Sequence, residues 1–210
     1  MKVRPILFNG EMVRAILDGR KTQTRRVIKK QEFMSNGGVY GVFADDSRVS
    51  FHGRDISSFE AIGLWKDELE KHDRVARCPY GAAGDHLWVR ETWQRCFECG
   101  GINYRATANE NGRVCQHCDN FLGKWKPSIH MFRDDSRILL EVTAVRVERV
   151  QSITDADARA EGVGAWHDTT NGTVYKPEFA MLWDSINAKR GYSWGSNPFV
   201  WVVEFKMVQP

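Results

Sequence analysis

Apolar and polar positions alternate with period two over several stretches of the chain. In 84–91, Leu87 and Val89 face one way and Trp88 and Arg90 the other, which predicts a strand entered through a Gly84-Asp85 turn. Ile138, Leu140 and Val142 are apolar at even positions. Val145 and Val147 carry the pattern on at odd positions until Arg149 ends it. That phase shift across Thr143-Ala144 predicts a β-bulge or bend in a long, curved strand. Phe199–Met207 is mostly apolar and β-prone, as a central strand should be. Several curved strands of this kind suit closure into a barrel.

Three segments carry helical spacing and punctuation instead. Asn9 is a good N-cap before the stripe Met12, Val13, Ile16 and Leu17, and Gly19 stands where the chain should leave the helix. Thr154 with Asp157 makes a capping-box-like start that ends at Gly162 after Glu161. Pro177 fits a first helical position, followed by Phe179, Leu182, Trp183 and Ile186 on one face and a stop at Gly191. In 31–80, Gly37-Gly38 and the mixed-polarity stretch 44–58 read as loop or insertion, with a helix expected near 58–71. The whole reads as one α+β domain over 1–210, with flanking helices and insertions at about 31–80 and 94–127.

The stop at Gly19 throws Arg20, Lys21, Thr24, Arg25 and Arg26 onto a ledge beyond the first helix. Residues 1–30 hold nine Lys or Arg against two acids, whereas the other 180 hold 21 against 25. The net charge of +3 therefore conceals a local positive field, suited to phosphate or another anion. A solvated surface turn is the competing account. Glu161, in a last helical turn, faces the negative end of the macrodipole and would be eased by a nearby cation.

Cys96-x-x-Cys99 and Cys115-x-x-Cys118 are separated by fifteen residues, the spacing of a four-thiolate zinc site. Two disulfides compete, but they suit secreted chains, and no export signal is evident at the N-terminus. A site filled by four sulfurs has no open position, so zinc here is expected to be structural. His117 is expected to be a bystander and Cys78 a small buried hydrophobe. No apolar run approaches the roughly 20 residues that cross a membrane. A cytoplasmic protein is expected.

The order helix, Gly-Arg-Lys-Thr-x-Thr, Gly-Asp-x-Leu-x-Val, Ile-Thr-x-x-x-Ala-x-x-Glu-Gly and closing strand resembles the ASCH domain. The correspondence covers residues 4–30, 82–93 and 136–206, and Lys-Pro-Ser-Ile-His-Met at 126–131 resembles larger phage and prophage members. The resemblance implies a PUA-like β-barrel associated with RNA or modified nucleosides, here carrying an inserted zinc-ribbon-like knuckle pair. Small bacterial members include an amidohydrolase acting on N4-acetylcytidine. The matching positions are Lys21, Thr24 and Glu161, which implies Thr24 as nucleophile, Lys21 as proton acceptor and Glu161 as proton shuttle. Arg20, Arg25, Arg26, Trp88, Arg90 and His130 are the candidate ligand contacts, with Trp93 and Trp201 as further stacking candidates.

Three roles follow as expectations. They are amide hydrolysis on an acylated nucleoside, RNA binding without chemistry, or a protein-interaction role in which zinc and tryptophans serve stability alone. The first requires Lys21 and Thr24 to converge at a helical turn or tight bend, because a spacing of three in a regular strand puts side chains on opposite faces.

Overall fold

A computed structural model describes residues 1–29, 39–43, 48–52, 75–108, 113–168 and 172–208, with the backbone path alone for 39–43, 48–52, 75–77, 166–168 and 172–173. The elements in chain order are β1 (Val3–Leu7), α1 (Gly10–Leu17), β2 (Gln23–Val27), β3 (Val39–Phe43), β4 (Arg48–His52) and β5 (Val75–Arg77). They continue with β6 (His86–Arg90), β7 (Trp93–Arg95), β8 (Ile102–Tyr104), β9 (Leu139–Arg149), α2 (Asp155–Ala160), β10 (Trp166–Asp168), β11 (Gly172–Val174), α3 (Lys176–Asn187) and β12 (Phe199–Val208).

The central sheet has the order β1-β6-β9-β12-β2, in which only β1 and β6 run parallel. Its longest pairing, β9 with β12, skips Thr143 as Glu204 pairs Ala144 and Phe205 pairs Val142. The bulge falls where the apolar alternation changes phase. It lets Val142 and Val145, three apart, both serve the same cluster.

β12 is apolar from Phe199 to Val203 because both of its faces are covered there. Phe199, Trp201, Val203 and Phe205 join a cluster with Ile6, Phe8 and the α1 residues Val13 and Ile16. Val200 and Val202 join another, with Ala158 of α2 and Phe179 and Trp183 of α3. Helices on opposite faces bury a strand twice, which removes its polar positions.

The mixed α+β class stands, but the expected closed barrel does not. Among the described residues, no ladder joins the outer strands β1 and β2. Instead the Arg26 side chain reaches from β2 to the end of β1, where Nη2 donates to the Leu7 carbonyl at 2.7 Å. The sheet curls until one long side chain spans the gap that a main-chain ladder would have closed. The 44–58 stretch is corrected in part: Arg48–His52 is a strand between β3 and β5, because Val49 and Phe51 alternate with polar neighbours. The helix expected near 58–71 lies outside the described residues.

An ion pair staples the parallel edge. Arg4 Nη1 donates to Asp85 Oδ2 at 2.6 Å, and the Lys2 main-chain N–H donates to Oδ1 at 2.7 Å. Burial raises the Asp85 carboxyl, but Arg4 and the N–H groups of Lys2 and Ala82 outweigh it and hold it at about 2. A depressed carboxyl stabilises the fold above the ordinary carboxylate range near about 4, and that stability is lost as pH falls toward 2. Asp85→Asn should therefore flatten the acid limb of an unfolding-versus-pH curve. Unchanged slopes between pH 4 and 2 would show that the pair contributes nothing.

Candidate functional site

Each candidate side chain is placed by an identifiable local cause. Asn9 caps α1 by accepting from the Met12 N–H at 2.8 Å, and Gly19 adopts a φ of 71° beyond its end. The chain then turns back so that the N–H groups of Arg20 and Lys21 both donate to the Ala15 carbonyl. Lys21 precedes β2 and Thr24 stands within it, so the two are neither on one helical turn nor on one regular strand. Opposite them, Thr154 and Asp157 form the full capping box of α2, and Glu161 is its C-cap.

α2 lies along the free edge of β2. The Thr22 N–H donates to the Ala160 carbonyl, and Gln23 Nε2 donates to the Asp157 carbonyl. From the helix end, the Glu161 carboxylate wraps the strand edge. Oε2 accepts from Lys21 Nζ at 2.8 Å and Oε1 from Arg25 Nη1 at 3.2 Å. Lys21 also donates to the Glu161 and Gln23 carbonyls, so its ammonium sits at the negative end of α2 and all three protons are used. The acid that faced an unfavourable dipole thus has two cations.

Lys21 is 2% exposed, Thr24 2% and Glu161 4%. Burial lowers the Lys21 pKa from its ordinary value. Glu161 pulls it back up, and Arg26 and Arg25 push it further down. Thr24 is not hydrogen-bonded to Lys21. It pairs with Val203 on the strand, and the Lys21 amine reaches only the preceding carbonyl, that of Gln23, at 2.8 Å. The structure brings Lys21 and Glu161 into contact and sets Thr24 one peptide away.

The positive ledge is not a positive surface. Arg25, on the opposite face of β2 from Thr24, ion-pairs with Glu148, Asp157 and Glu161 and lies over the Phe179 ring. Arg146 ties Glu148, Asp157 and Glu204 into the same network. Arg20 pairs with Asp18 and donates to the Gly162 carbonyl. Arg26 lies over Phe8 and Tyr80. Glu148, Arg146 and Glu204 escaped the sequence reading. Their one signal is charge at alternate positions of otherwise apolar strands.

Other candidates sit elsewhere. Arg90 lies over Trp88 and donates to the Ile129 carbonyl, on the outer face of β6. His130 is exposed on the neighbouring 3-10 turn, and no interaction joins it to Lys21. Trp88, Trp93 and Trp201 are buried in the core clusters, so none offers a free ring face for stacking.

Gly162 lets the two halves of the site close. Its φ is 84°, and a Cβ there would come within 2.7 Å of Ala15 Cβ and 2.9 Å of Lys21 Cβ. The left-handed backbone alone costs an alanine about 1–2 kcal/mol. Gly162→Ala should destabilise the fold by about 2–3 kcal/mol in urea unfolding once that contact is added. A loss below about 1 kcal/mol would show that α2 can shift without consequence.

The four knuckle cysteines converge, with all sulfurs within 4.8 Å of one another. Cys96–Cys118 and Cys99–Cys115 are each 3.7 Å apart. The two knuckles are built alike. The Gly100 N–H donates to the Cys96 carbonyl as Asp119 does to Cys115, and the Cys96 N–H donates to Gly101 as Cys115 does to Asn120. The equivalent residues Gly100 and Asp119 are both left-handed, with φ of 70° and 56°. Asn103, missed in the sequence, is buried and donates to Cys115 Sγ at 3.4 Å. Burial opposes a thiolate at Cys115, yet the His117 N–H and Asn103 bring its thiol down to about 6. The His117 ring turns away, Nε2 lying 3.0 Å from the Ile102 carbonyl. This cluster can hold a metal ion.

Among the described residues, no helix is long and apolar enough to cross a membrane. No family model, curated protein or solved structure matches the chain.

Proposed function

We propose that the chain is an ASCH-like amidohydrolase that binds an N4-acylated cytidine or a similar nucleoside and cleaves its exocyclic amide. The observation that carries this reading is the Lys21–Glu161 pair. The Lys21 ammonium donates to the Glu161 carboxylate, 140 residues away, at 2.8 Å, almost fully out of water. Burying such a pair rarely stabilises a fold, and strongly shifted, desolvated titratable groups cluster at functional sites.

The reaction draws on the form in which a proton has passed from Lys21 to Glu161; burial lowers Lys21 toward the amine, and Glu161 opposes it. In that form Thr24 Oγ1 attacks the amide carbonyl and its proton passes to the Lys21 amine. The C–N bond then breaks as Glu161 gives its proton to the leaving nitrogen. Water next attacks the Thr24 acyl ester, one of its protons passing to the Glu161 carboxylate. Lys21 returns a proton to Thr24, and the carboxylic acid is released. Thr24 must move within hydrogen-bond reach of Lys21 when substrate binds, since apo contacts of this kind are often long.

A grip on RNA phosphates finds less support. Arg25, its best candidate, is neutralised by three carboxylates, and the candidate stacking tryptophans are buried. RNA affinity that falls steeply with salt would favour that role instead.

The cysteine cluster is proposed to hold one structural zinc. A tetrahedron with Zn–S near 2.3 Å has edges of about 3.8 Å, close to the 3.7 Å separations seen.

Incubation with N4-acetylcytidine should release acetate and cytidine. Thr24→Val and Lys21→Ala should each lower kcat/KM by about 10²–10⁴-fold while circular dichroism stays unchanged. A folded variant of either kind at full rate would overturn the assignment of roles.

A further inference from the structure

We propose that Glu148 is a positioning residue of this site: acting through Arg25, it governs how readily the proton of Lys21 passes to Glu161. This rests on the hydrolase reading of that pair and adds the group that regulates it.

The register of the sheet sets the geometry. Arg146 of β9 pairs with Val202 of β12, which pairs with Arg25 of β2. Paired residues share a face, as do residues two apart in a strand. Arg146, Glu148, Glu204, Gln23 and Arg25 therefore stand on the face that α2 covers. Asp157 and Glu161 meet them from that helix. Arg25 divides its fork between them: Nη1 donates to Glu161 Oε1 at 3.2 Å, while Nη2 lies 3.1 Å from Glu148 Oε2 and 3.4 Å from Asp157 Oδ2. The other oxygen of Glu161 takes Lys21. Arg146 closes the row from outside, holding the remaining oxygens of Glu148 and Asp157 and pairing with Glu204. Side-chain exposure rises outward, from 0% at Arg25 to 23% at Glu148, 31% at Arg146 and 40% at Glu204. The reactive pair is sealed, but the acid that shares Arg25 with Glu161 is open to water.

Each link acts on the next by charge. A guanidinium beside Glu161 favours its carboxylate, which keeps the proton on Lys21. Carboxylates on the far nitrogen of Arg25 offset that pull and let the proton move. Asp157 also caps α2, so changing it would disturb the helix. Glu148 has no second task among the described residues, since its hydrogen bonds run to Arg25 and Arg146. On the opposite side, Arg26 lies over Tyr80 and over the Phe8 ring that also faces Lys21, and Arg20 pairs with Asp18. Neither of these arginines touches Glu148. The ionised network counts four carboxylates against three cations, so losing one charge tips it in a known direction.

The test is the pH dependence of hydrolysis of N4-acetylcytidine, a bell with one limb for each proton of the coupled pair. Glu148→Gln removes a negative charge, so both limbs should move down by about 0.5 pH unit or more. Its kcat should fall about threefold to tenfold, with KM nearly unchanged, because Arg25 then holds Glu161 more firmly as a carboxylate. Arg146→Gln removes a positive charge and should move both limbs up. Glu148→Asp keeps the charge and should restore the original limbs. Glu141→Gln breaks the Lys206 pair seven residues away on β9, about 20 Å distant and beyond the screening length of about 10 Å at 0.1 M salt, and should move neither limb. Should Glu148→Gln or Arg146→Gln fail to fold, the other decides. Limbs that stay in place in either folded variant, even at a reduced rate, would overturn the proposal while leaving the hydrolase standing, and so would limbs that move as far in Glu141→Gln. No hydrolysis by any of these proteins would refute the hydrolase itself. Titration of the Lys21 ammonium by 15N NMR, assigned with Lys21→Ala, would then decide the coupling alone. Its midpoint should fall in Glu148→Gln and rise in Arg146→Gln, and an unmoved midpoint would overturn the link.

Discussion

Glu161→Gln is expected to destabilise the protein by about 3–5 kcal/mol, because it removes one partner of a buried ion pair and strands the other. Arg25 keeps Glu148 and Asp157, so the penalty falls mainly on Lys21, whose one carboxylate partner among the described residues is Glu161. Urea unfolding should show a lower midpoint with an unchanged slope. Lys21→Met in the same chain should recover part of the loss, since two neutral side chains of similar volume avoid the stranded charge. The deficit should also depend on pH in a defined direction. Burial lowers Lys21, so over the window below its ordinary range the unfolded chain binds more protons than the folded one. Stability of Glu161→Gln must then rise with pH as the stranded ammonium gives up its proton. A deficit under about 1 kcal/mol at neutral pH, or one that grows toward pH 10, would mean that the pair does not carry its charges in the folded protein.

Chelation of the proposed zinc, or Cys115→Ser, should unfold the knuckle region while the central sheet survives. The separation is structural. Among the described residues, β7 and β8 form a ladder only with each other, and Trp93 and Lys126 close the base of the region through an isolated bridge. The local core beneath the sulfurs is small, comprising Cys96, Cys115 and Leu122 with Cys118 and Trp125 packed on it. So little apolar surface cannot hold a loop of that length, whereas a structural zinc contributes about 10–16 kcal/mol of binding free energy that is also folding free energy. Metal analysis should find one zinc per chain, and none in Cys115→Ser. Hydrogen exchange should accelerate over the described residues 94–108 and 113–125 but not over β9 and β12. Trp93 and Met131 share a cluster with Trp88, so protection should resume at that boundary. Retained zinc in the variant would show that the metal is held elsewhere, and a central sheet that exchanges equally fast would show that the metal supports the entire fold.

Much of the local architecture was legible because it is written in neighbouring residues. Asn9, Thr154 with Asp157, and Gly19 mark helix ends whose N–H and carbonyl groups need partners within a few residues. The change of apolar phase at Thr143 named the bulge, since period two cannot change phase without an extra residue. Arg48–His52 was harder. Its alternation spans only five residues in a polar stretch, too short to stand out. Barrel closure was the wrong extrapolation from curvature: the pattern along each strand says that a sheet bends, not whether its edges meet.

What the sequence by itself determined is the set of short-range devices: caps, turns, the bulge, the two matching knuckles and the doubly buried strand. Each depends on contacts a few residues apart, or on the solvent exposure of one strand. What only the tertiary structure decided is the electrostatics of the site. Summed along residues 1–30 the charge is strongly positive, yet Lys21 and Arg25 meet Glu161 across 140 and 136 residues, and Arg25 meets Glu148 across 123. Coulomb energy follows distance in space and the dielectric around each pair, neither of which position along a chain records.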